Sequence, residues 1–350
     1  MHIAQIAPLA EAVPPKLYGG TERVVAILCD ALVQLGHDVT LFAAADAHTS
    51  ARLVPVRERP IRLDPAPLKS DVAAHLTMLH EVRRCAWKFD ILHFHIDLLH
   101  FPVFEHQAHK TVTTLHGRLD IADLERAYQH WRQFGLVSIS DHQRAPMPRV
   151  NWLATIPHGM PMERFAFRPR PHPGYLAFLG RISPEKRPDI AISIARRAGI
   201  PLKIAAKVDA VDREYFEARI APLLGHPLID YIGEIGDDRK SEFLGNARAL
   251  LFPIDWPEPF GLVMIEAMAC GTPVIAWNCG SVPEVVDHGV TGYIVDSEEA
   301  ALAALSNIEE IDRRTVRAVF EQRFAARTMA RSYLDLYARL LQHRPLLRAS

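Results

Sequence analysis

The chain is poor in the features that mark several large protein classes. Its 350 residues include four cysteines, Cys29, Cys85, Cys270 and Cys279, none in C-x-x-C spacing. That pattern argues against a disulfide framework and reads as reduced, mostly buried thiols of a cytoplasmic protein. Neither sign of charge is in excess. The 40 Lys and Arg against 41 Asp and Glu leave a net charge of −1, without the electrostatic footprint of a nucleic-acid binder. No apolar run reaches the roughly 18 residues of a membrane span. Met1-His2-Ile3 enters a strand at once, without the basic and apolar regions of a leader. A cytoplasmic location is expected, with peripheral membrane contact left open. Neither G-x-G-x-x-G nor G-x-x-x-x-G-K-[ST] occurs, which removes the dinucleotide fingerprint and the P-loop. His93 and His95 alternate on a strand, and His100, His106 and His109 cluster after it. The 18 histidines nevertheless form no H-E-x-x-H or other full ligand set, and no D-x-D is present, so no metal site is expected.

What is present centres on Pro253 to Gly271, PIDWPEPFGLVMIEAMACG. Ala249 to Pro253 is a short apolar run of strand type, a proline-rich turn follows, and Phe260 to Ala269 is predicted to be a helix stopped by Gly271 and Pro273. A strand, a turn and a helix start make an anion site, because the first helical N–H groups lack intrahelical partners and sit at the positive end of the peptide dipoles. Gly261 lets a ligand approach the backbone. A carboxylate beside bound phosphate would repel it, so Glu258 suits neutral hydroxyls. Glu266, predicted about two turns into the helix, suits a ribose. Together these groups describe a nucleotide-sugar site.

The rest of the chain alternates strand and helix patterns. His2 to Pro8 is predicted as the first strand. The helix of Thr21 to Leu35 and the strand of Val39 to Ala45 complete a βαβ start. Arg52 to Pro67 is expected to be an irregular connection and Asp71 to Phe89 a helix. Further strands are predicted at Ile91–His95, Thr111–Leu115, Leu136–Ser140 and Leu153–Ile156. Asp97 is read as a helix N-cap. A boundary is expected near Phe165 to Gly174, where three prolines break the pattern. A second series begins at Tyr175 and includes Leu202–Ala206, Asp230–Gly233 and Val274–Trp277. Asp312–Phe324 and Ala326–Gln342 are predicted as terminal helices. The fold class is α/β.

Taken one at a time, the remaining candidates have plain structural alternatives. Gly19-Gly20 is also a flexible turn, His116 also a hydrogen-bonded strand-end residue, Arg181 with Lys186 also a solvated pair, and Gly233-Glu234-Ile235 also an exposed turn. Their order along the chain carries more weight. Glu258-Pro-Phe-Gly-Leu-Val-Met-Ile-Glu266 resembles the E-x7-E motif of the family 4 retaining glycosyltransferases. Gly19-Gly20-Thr21-Glu22, Leu115-His116-Gly117, Ile156-Pro157-His158-Gly159, Gly180-Arg181 with Lys186, Gly271-Thr-Pro-Val-Ile and Pro283-Glu284 follow the same pattern over nearly the whole chain. Two positions depart from it: Arg187 stands where a glycine is usual, and His158 where an asparagine is.

The resemblance implies a GT-B fold, with two Rossmann-like doubly wound domains facing a central cleft. Residues 1–168 would bind the acceptor and residues 169–325 the nucleotide sugar, with a last helix of about 326–342 crossing back onto the first domain. It implies a hexosyl transfer from a nucleotide-diphosphate sugar. The choices of UDP or GDP and of glucose or mannose stay open, with UDP-hexose favoured over GDP-mannose. The missing D-x-D leads to the expectation of no metal or other cofactor. The acceptor would be a carbohydrate, a lipid-linked sugar or a small metabolite. Arg181 and Lys186 would hold the diphosphate and Glu258 the sugar hydroxyls. His116 would meet the sugar or the nearby charge. Gly20, Gly233, Ile235, Phe260, Gly261, Leu262, Val263 and Glu266 would bind the donor. A nucleotide-sugar epimerase or hydrolase, and a non-catalytic sugar-nucleotide sensor, are the competing readings.

Overall fold

The computed structural model describes residues 1–16, 19–172 and 174–342. Leu17 and Tyr18 of the loop before Gly19, and Pro173 of the proline-rich stretch, lie outside the described residues. The described residues form two compact units, one of Met1–Gly159 with Ala326–Gln342, the other of Met160–Ala325.

The first unit runs β1 (His2–Ile6), α1 (Gly20–Gln34), β2 (Asp38–Ala44), β3 (Arg52–Arg57), α2 (Asp71–Cys85), β4 (Ile91–Phe94), α3 (Phe101–Phe104), β5 (Thr111–Thr114), α4 (Leu124–His130), β6 (Gly135–Ser138), α5 (Asp141–Arg144) and β7 (Trp152–Thr155). Its seven strands pair in the order β3-β2-β1-β4-β5-β6-β7, every ladder parallel. The central strands are buried on both faces, as a parallel sheet covered by helices requires. The second unit runs β8 (Tyr175–Arg181), α6 (Pro188–Ala198), β9 (Leu202–Lys207), α7 (Arg213–Tyr215), β10 (Ile229–Gly233), α8 (Asp237–Gly245), β11 (Ala247–Phe252), α9 (Leu262–Ala269), β12 (Val274–Trp277), α10 (Val282–Val285), β13 (Gly292–Val295), α11 (Glu298–Ser306) and α12 (Arg313–Arg323). The sheet order is β10-β9-β8-β11-β12-β13, again parallel. Both orders are those of a doubly wound fold, with the reversal at β1/β4 and at β8/β11. The final helix, α13 (Ala326–Gln342), belongs to the first unit and packs against α1.

Several expectations need correction. Arg52–Arg57 is not irregular but is the edge strand β3, with Pro55 opposite Ala43. A proline lacks the amide a central strand would need, and an edge tolerates it. The division between the units falls at Gly159/Met160, earlier than 168/169. The Met160 N–H donates to the Phe324 carbonyl at 2.8 Å, Ala166 N–H to Ser241 Oγ at 2.8 Å, and Arg168 N–H to the Cys270 carbonyl at 3.1 Å, so the proline-rich segment is already stitched to the second unit. Asp97 is exposed with φ 51° and caps no helix, since α3 starts after His100. Strand β13 was not foreseen. Gly292 admits it because any Cβ there would lie 1.9 Å from the Val274 carbonyl oxygen.

The first unit buries a cluster of imidazoles. His93 (0 % exposed), His95 (4 %), His100 (0 %) and His158 (4 %) are buried, and His116 lies partly buried beside them. Burial holds all five imidazoles below their ordinary value of 6.5, His116 at about 3. As pH falls below 6.5 the unfolded chain therefore takes up protons that the folded chain refuses, and stability falls with it. Each such imidazole should cost about 1.4 kcal/mol at one pH unit below 6.5. Urea unfolding at pH 7.5 and 5.5 tests this. An equal or higher midpoint at pH 5.5 would show that the histidines accept charge in the folded state.

Candidate active site

In the second unit the strand order reverses between β8 and β11, and the loops leaving these two strands bring together the residues singled out above. Strand β8 ends at Arg181 and passes through a 3-10 turn, Pro184–Lys186, into α6. Arg187, between turn and helix, has φ 52° and ψ 51°. That left-handed geometry explains why a glycine is the easier residue here. The Arg187 guanidinium pairs with Asp189 at 3.1 Å and Asp255 at 3.4 Å. Strand β11 leads into the loop 253–261 and then into α9.

Lys186 Nζ forms an ion pair with Glu258 Oε2, which also accepts from Trp256 Nε1 at 3.0 Å. The Lys186 ammonium lies 4.9 Å from the centroid of the Trp256 ring and 5.6 Å from that of Phe252. A cation held by one carboxylate and two aromatic faces is well placed and little hydrated. Arg181 stands among three carboxylates, paired to Glu185, to Asp212 at 3.2 Å and to Asp209 at 3.9 Å. Burial raises the Asp212 carboxyl, with Arg181 acting against that rise. Both cations expected to meet a diphosphate are therefore already compensated by protein carboxylates.

The expected helix start shifts as well. Phe260 and Gly261 precede α9, and Gly261 takes φ 79° as its N-cap, where a Cβ would meet Met264 at 2.7 Å and Phe252 at 3.2 Å. Gly261, Leu262 and Val263 are half-buried and form the open end of the helix. The Phe260 side chain is buried, edge-on to Phe324 at 6.1 Å. Glu266 is 3 % exposed, and its Oε1 accepts from Lys240 Nζ at 2.8 Å; Lys240 also meets Asp237 at 3.1 Å. Gly233 has φ 73° at the end of β10, and Ile235 is buried in the turn into α8. The structure thus joins Lys186 directly to Glu258, while Glu266 is engaged with α8.

In the first unit, Gly20 opens α1, and Gly19 before it lies so close to Pro15 that a Cβ would approach it at 2.8 Å. Glu22, in the first turn, is buried, which raises its carboxyl. His116 follows β5. Its loop is clamped by Gln143, whose Nε2 donates to the carbonyls of Leu115 at 2.9 Å and Gly117 at 2.7 Å. His116 Nε2 and His95 Nδ1 are 2.8 Å apart, and the His116 ring stacks on His158 at 5.2 Å. His158, at the position where the pattern has asparagine, thus supports His116. A neutral His116 offers a hydrogen bond rather than a charge. Among the described residues, no group of three His, Cys, Asp or Glu side chains could hold a metal ion.

Two family models cover this ground. Residues 18–152 match the model described as Glycosyltransferase Family 4, and residues 161–322 the one described as Glycosyl transferases group 1. The chain belongs to the GT4 glycosyltransferases. A phosphatidyl-myo-inositol mannosyltransferase of Mycolicibacterium smegmatis is 27 % identical over 347 residues, 89 % of this chain and 86 % of that one. Among solved structures, AviGT4, a glycosyltransferase involved in avilamycin A biosynthesis, aligns with a TM-score of 0.73 at 24 % identity, covering 98 % of each chain. HepE of Anabaena, in complex with UDP and glucose, aligns at 0.74 and 17 % identity, covering 97 % of this chain and all of that one. These neighbours give the glycosyltransferase a GT-B fold.

The glycosyltransferase holds Glu258 by means that sequence reasoning missed. A Cβ on Gly280 (φ 60°) would lie 2.4 Å from the Glu258 nitrogen and 2.5 Å from its carbonyl oxygen. Ser281 N–H donates to the Glu258 carbonyl at 3.0 Å, and Ser281 Oγ donates to that of Phe260 at 2.8 Å. The loop before α10 therefore braces the loop before α9. The glycine-serine pair stands in the sequence, but what it touches lies across another loop. Nothing in the sequence pointed to Lys240 or Gln143. Gly280→Ala should cost about 1–2 kcal/mol from the left-handed backbone alone. It should also lower transferase activity about tenfold or more by displacing Glu258. Thermal melts and initial rates measured together check this. Wild-type rates would show that the brace does not govern Glu258.

Proposed function

We propose that the protein moves a hexosyl group from a nucleotide-diphosphate sugar, UDP-hexose above GDP-mannose, to an acceptor hydroxyl, retaining anomeric configuration and using no metal. The single observation that carries this is the Lys186–Glu258 pair at the β8/β11 reversal, beside the open end of α9. Ligands of open α/β sheets bind at such a reversal, outside the carboxyl ends of the strands. Donor binding would exchange partners: Lys186 and Arg181 turn from carboxylates to phosphate oxygens, and the Glu258 carboxylate accepts from sugar hydroxyls. Charge that grows on the diphosphate as the anomeric bond breaks then meets cations and helix N–H groups already in place. The departing phosphate takes the acceptor proton, and attack comes from the same face. Glu266 serves the ribose, Gly233 and Ile235 offer backbone groups to the base, and Gly20 lies at the open end of α1. The neutral His116 takes a substrate hydroxyl. The UDP complex of the Anabaena neighbour supports the choice of base.

Thermal melts with UDP-glucose, UDP-galactose and GDP-mannose should show a rise with a UDP-hexose. With that donor, Glu258→Ala should lose about 3 kcal/mol of transition-state stabilisation, roughly 150-fold in kcat/KM. Unchanged turnover would remove Glu258 from the site. Acceptor-independent epimerisation or hydrolysis of donor at comparable rate would favour the isomerase or hydrolase reading, and a product of inverted configuration would end the retaining one.

A cytoplasmic enzyme in peripheral contact with a membrane is part of the same proposal. No helix among the described residues is long and apolar enough to cross a bilayer. Around α2, however, Leu68 (91 % exposed), Val72 (62 %), Leu76 (54 %) and Trp87 (76 %) face water, with Lys69, Arg83, Arg84 and Lys88 exposed nearby. Apolar side chains rimmed by cations suit the surface of anionic lipid. A lipid-linked acceptor is in keeping with it and with the mannosyltransferase relative's name. The protein should co-sediment with vesicles containing phosphatidylglycerol, and Leu68→Ser with Leu76→Ser should weaken this roughly tenfold or more. Equal recovery of protein with and without anionic vesicles would refute the contact.

A further inference from the structure

Beneath His116 lies a chain of hydrogen bonds, all within the first unit, that starts on the last helix. Tyr337 of α13 has its hydroxyl 2.7 Å from His93 Nδ1, and His93 Nε2 is 2.7 Å from Thr114 Oγ1. Gln5 Nε2 donates to the same Tyr337 oxygen at 3.3 Å. His95 Nε2 lies 2.8 Å from Gln5 Oε1, and His95 Nδ1 lies 2.8 Å from His116 Nε2. His116 Nδ1 is buried with no hydrogen-bond partner among the described residues.

With every imidazole neutral, each ring has one donor and one acceptor, so the direction of one link sets all the others. A phenol is a strong donor and a poor acceptor, and a separation of 2.7 Å suits O–H better than N–H as the donor. Tyr337 therefore donates to His93 Nδ1. Its oxygen is left to accept from the Gln5 amide, which turns Gln5 Oε1 toward His95. His95 Nε2 then carries a proton and donates to that oxygen, so His95 Nδ1 must accept. His116 consequently carries its proton on Nε2.

We propose that Tyr337, Gln5 and His95 are positioning residues that fix the tautomer of His116, so that its Nδ1 presents a lone pair to a substrate hydroxyl. This rests on the reading of His116 as a site residue for the arriving hydroxyl, although the tautomer itself does not. Without the relay the two tautomers of a neutral imidazole compete, and the one with Nδ1 protonated would repel an O–H donor. A pH-independent device of this kind needs buried neutral rings, and these are present in His93 and His95.

The full-length protein labelled with 15N-histidine, its His116 signals assigned by their loss in His116→Asn, reports the tautomer without reference to activity. The expected result is an unprotonated His116 Nδ1 in wild type and a mixture of tautomers in Tyr337→Phe, which removes one oxygen atom. Gln5→Met, which breaks the next link, should do the same and covers the case in which Tyr337→Phe does not fold. Both variants should lower kcat/KM severalfold while their melting points above pH 7 stay within a few degrees of wild type. A proton on His116 Nδ1 in wild type, or an unchanged tautomer in the variants, would overturn the relay. If the tautomer behaves as stated but His116→Asn transfers sugar at the wild-type rate, the relay stands and the site role of His116 falls.

Discussion

The contact between the Lys186 ammonium and the Glu258 carboxylate organises the second unit's candidate site. It joins the loops of two neighbouring parallel strands whose chains turn away in opposite directions, which is where a doubly wound sheet leaves its ends uncovered. Trp256 donates to the carboxylate and lies under the cation, so one side chain sets both partners. Gly280 and Ser281 hold the carboxylate's backbone from the next strand loop. The pair is thus held from three directions, a condition for preorganised electrostatics.

The neighbouring ion pairs follow the same logic. Arg181 with Glu185, Asp209 and Asp212, and Arg187 with Asp189 and Asp255, place acidic groups beside every basic one. Partly exposed pairs of this sort contribute little to stability, typically about 0–1 kcal/mol each. Under the proposed function they would be correspondingly cheap to exchange for phosphate oxygens, whereas an uncompensated cluster of cations would destabilise the free protein.

The first unit solves a different problem with different chemistry. Its polar core is built from imidazoles, phenols, a threonine and an amide, and burial keeps the imidazoles neutral. Neutral rings cannot compensate charge, but they can transmit hydrogen-bond direction, which an ion pair cannot. The last helix supplies Tyr333 and Tyr337 to this layer, with Tyr333 at 2.9 Å from Thr114 Oγ1. A segment over 200 residues distant in sequence therefore completes the core of the N-terminal sheet.

The alternation of apolar strands with helix patterns, and the ordered motifs at Gly20, His116, Arg181, Lys186, Glu258 and Glu266, were enough to set the class of fold and the family, because period and spacing are local properties of a chain. Even the departure at Arg187 was visible, although its left-handed backbone was not. The edge strand at Arg52–Arg57 was hidden because a proline in a strand reads as a break until the partner on its other side is known to be missing. The partners of the charged groups were hidden for a similar reason. Glu266 with Lys240, Arg181 with Asp212 and Gly280 against Glu258 are contacts across elements, and no spacing rule reports them. Sequence alone determined the class of fold, the family and which residues are the candidates for the chemistry. Tertiary structure decided their burial and their partners, since both arise only when distant segments pack.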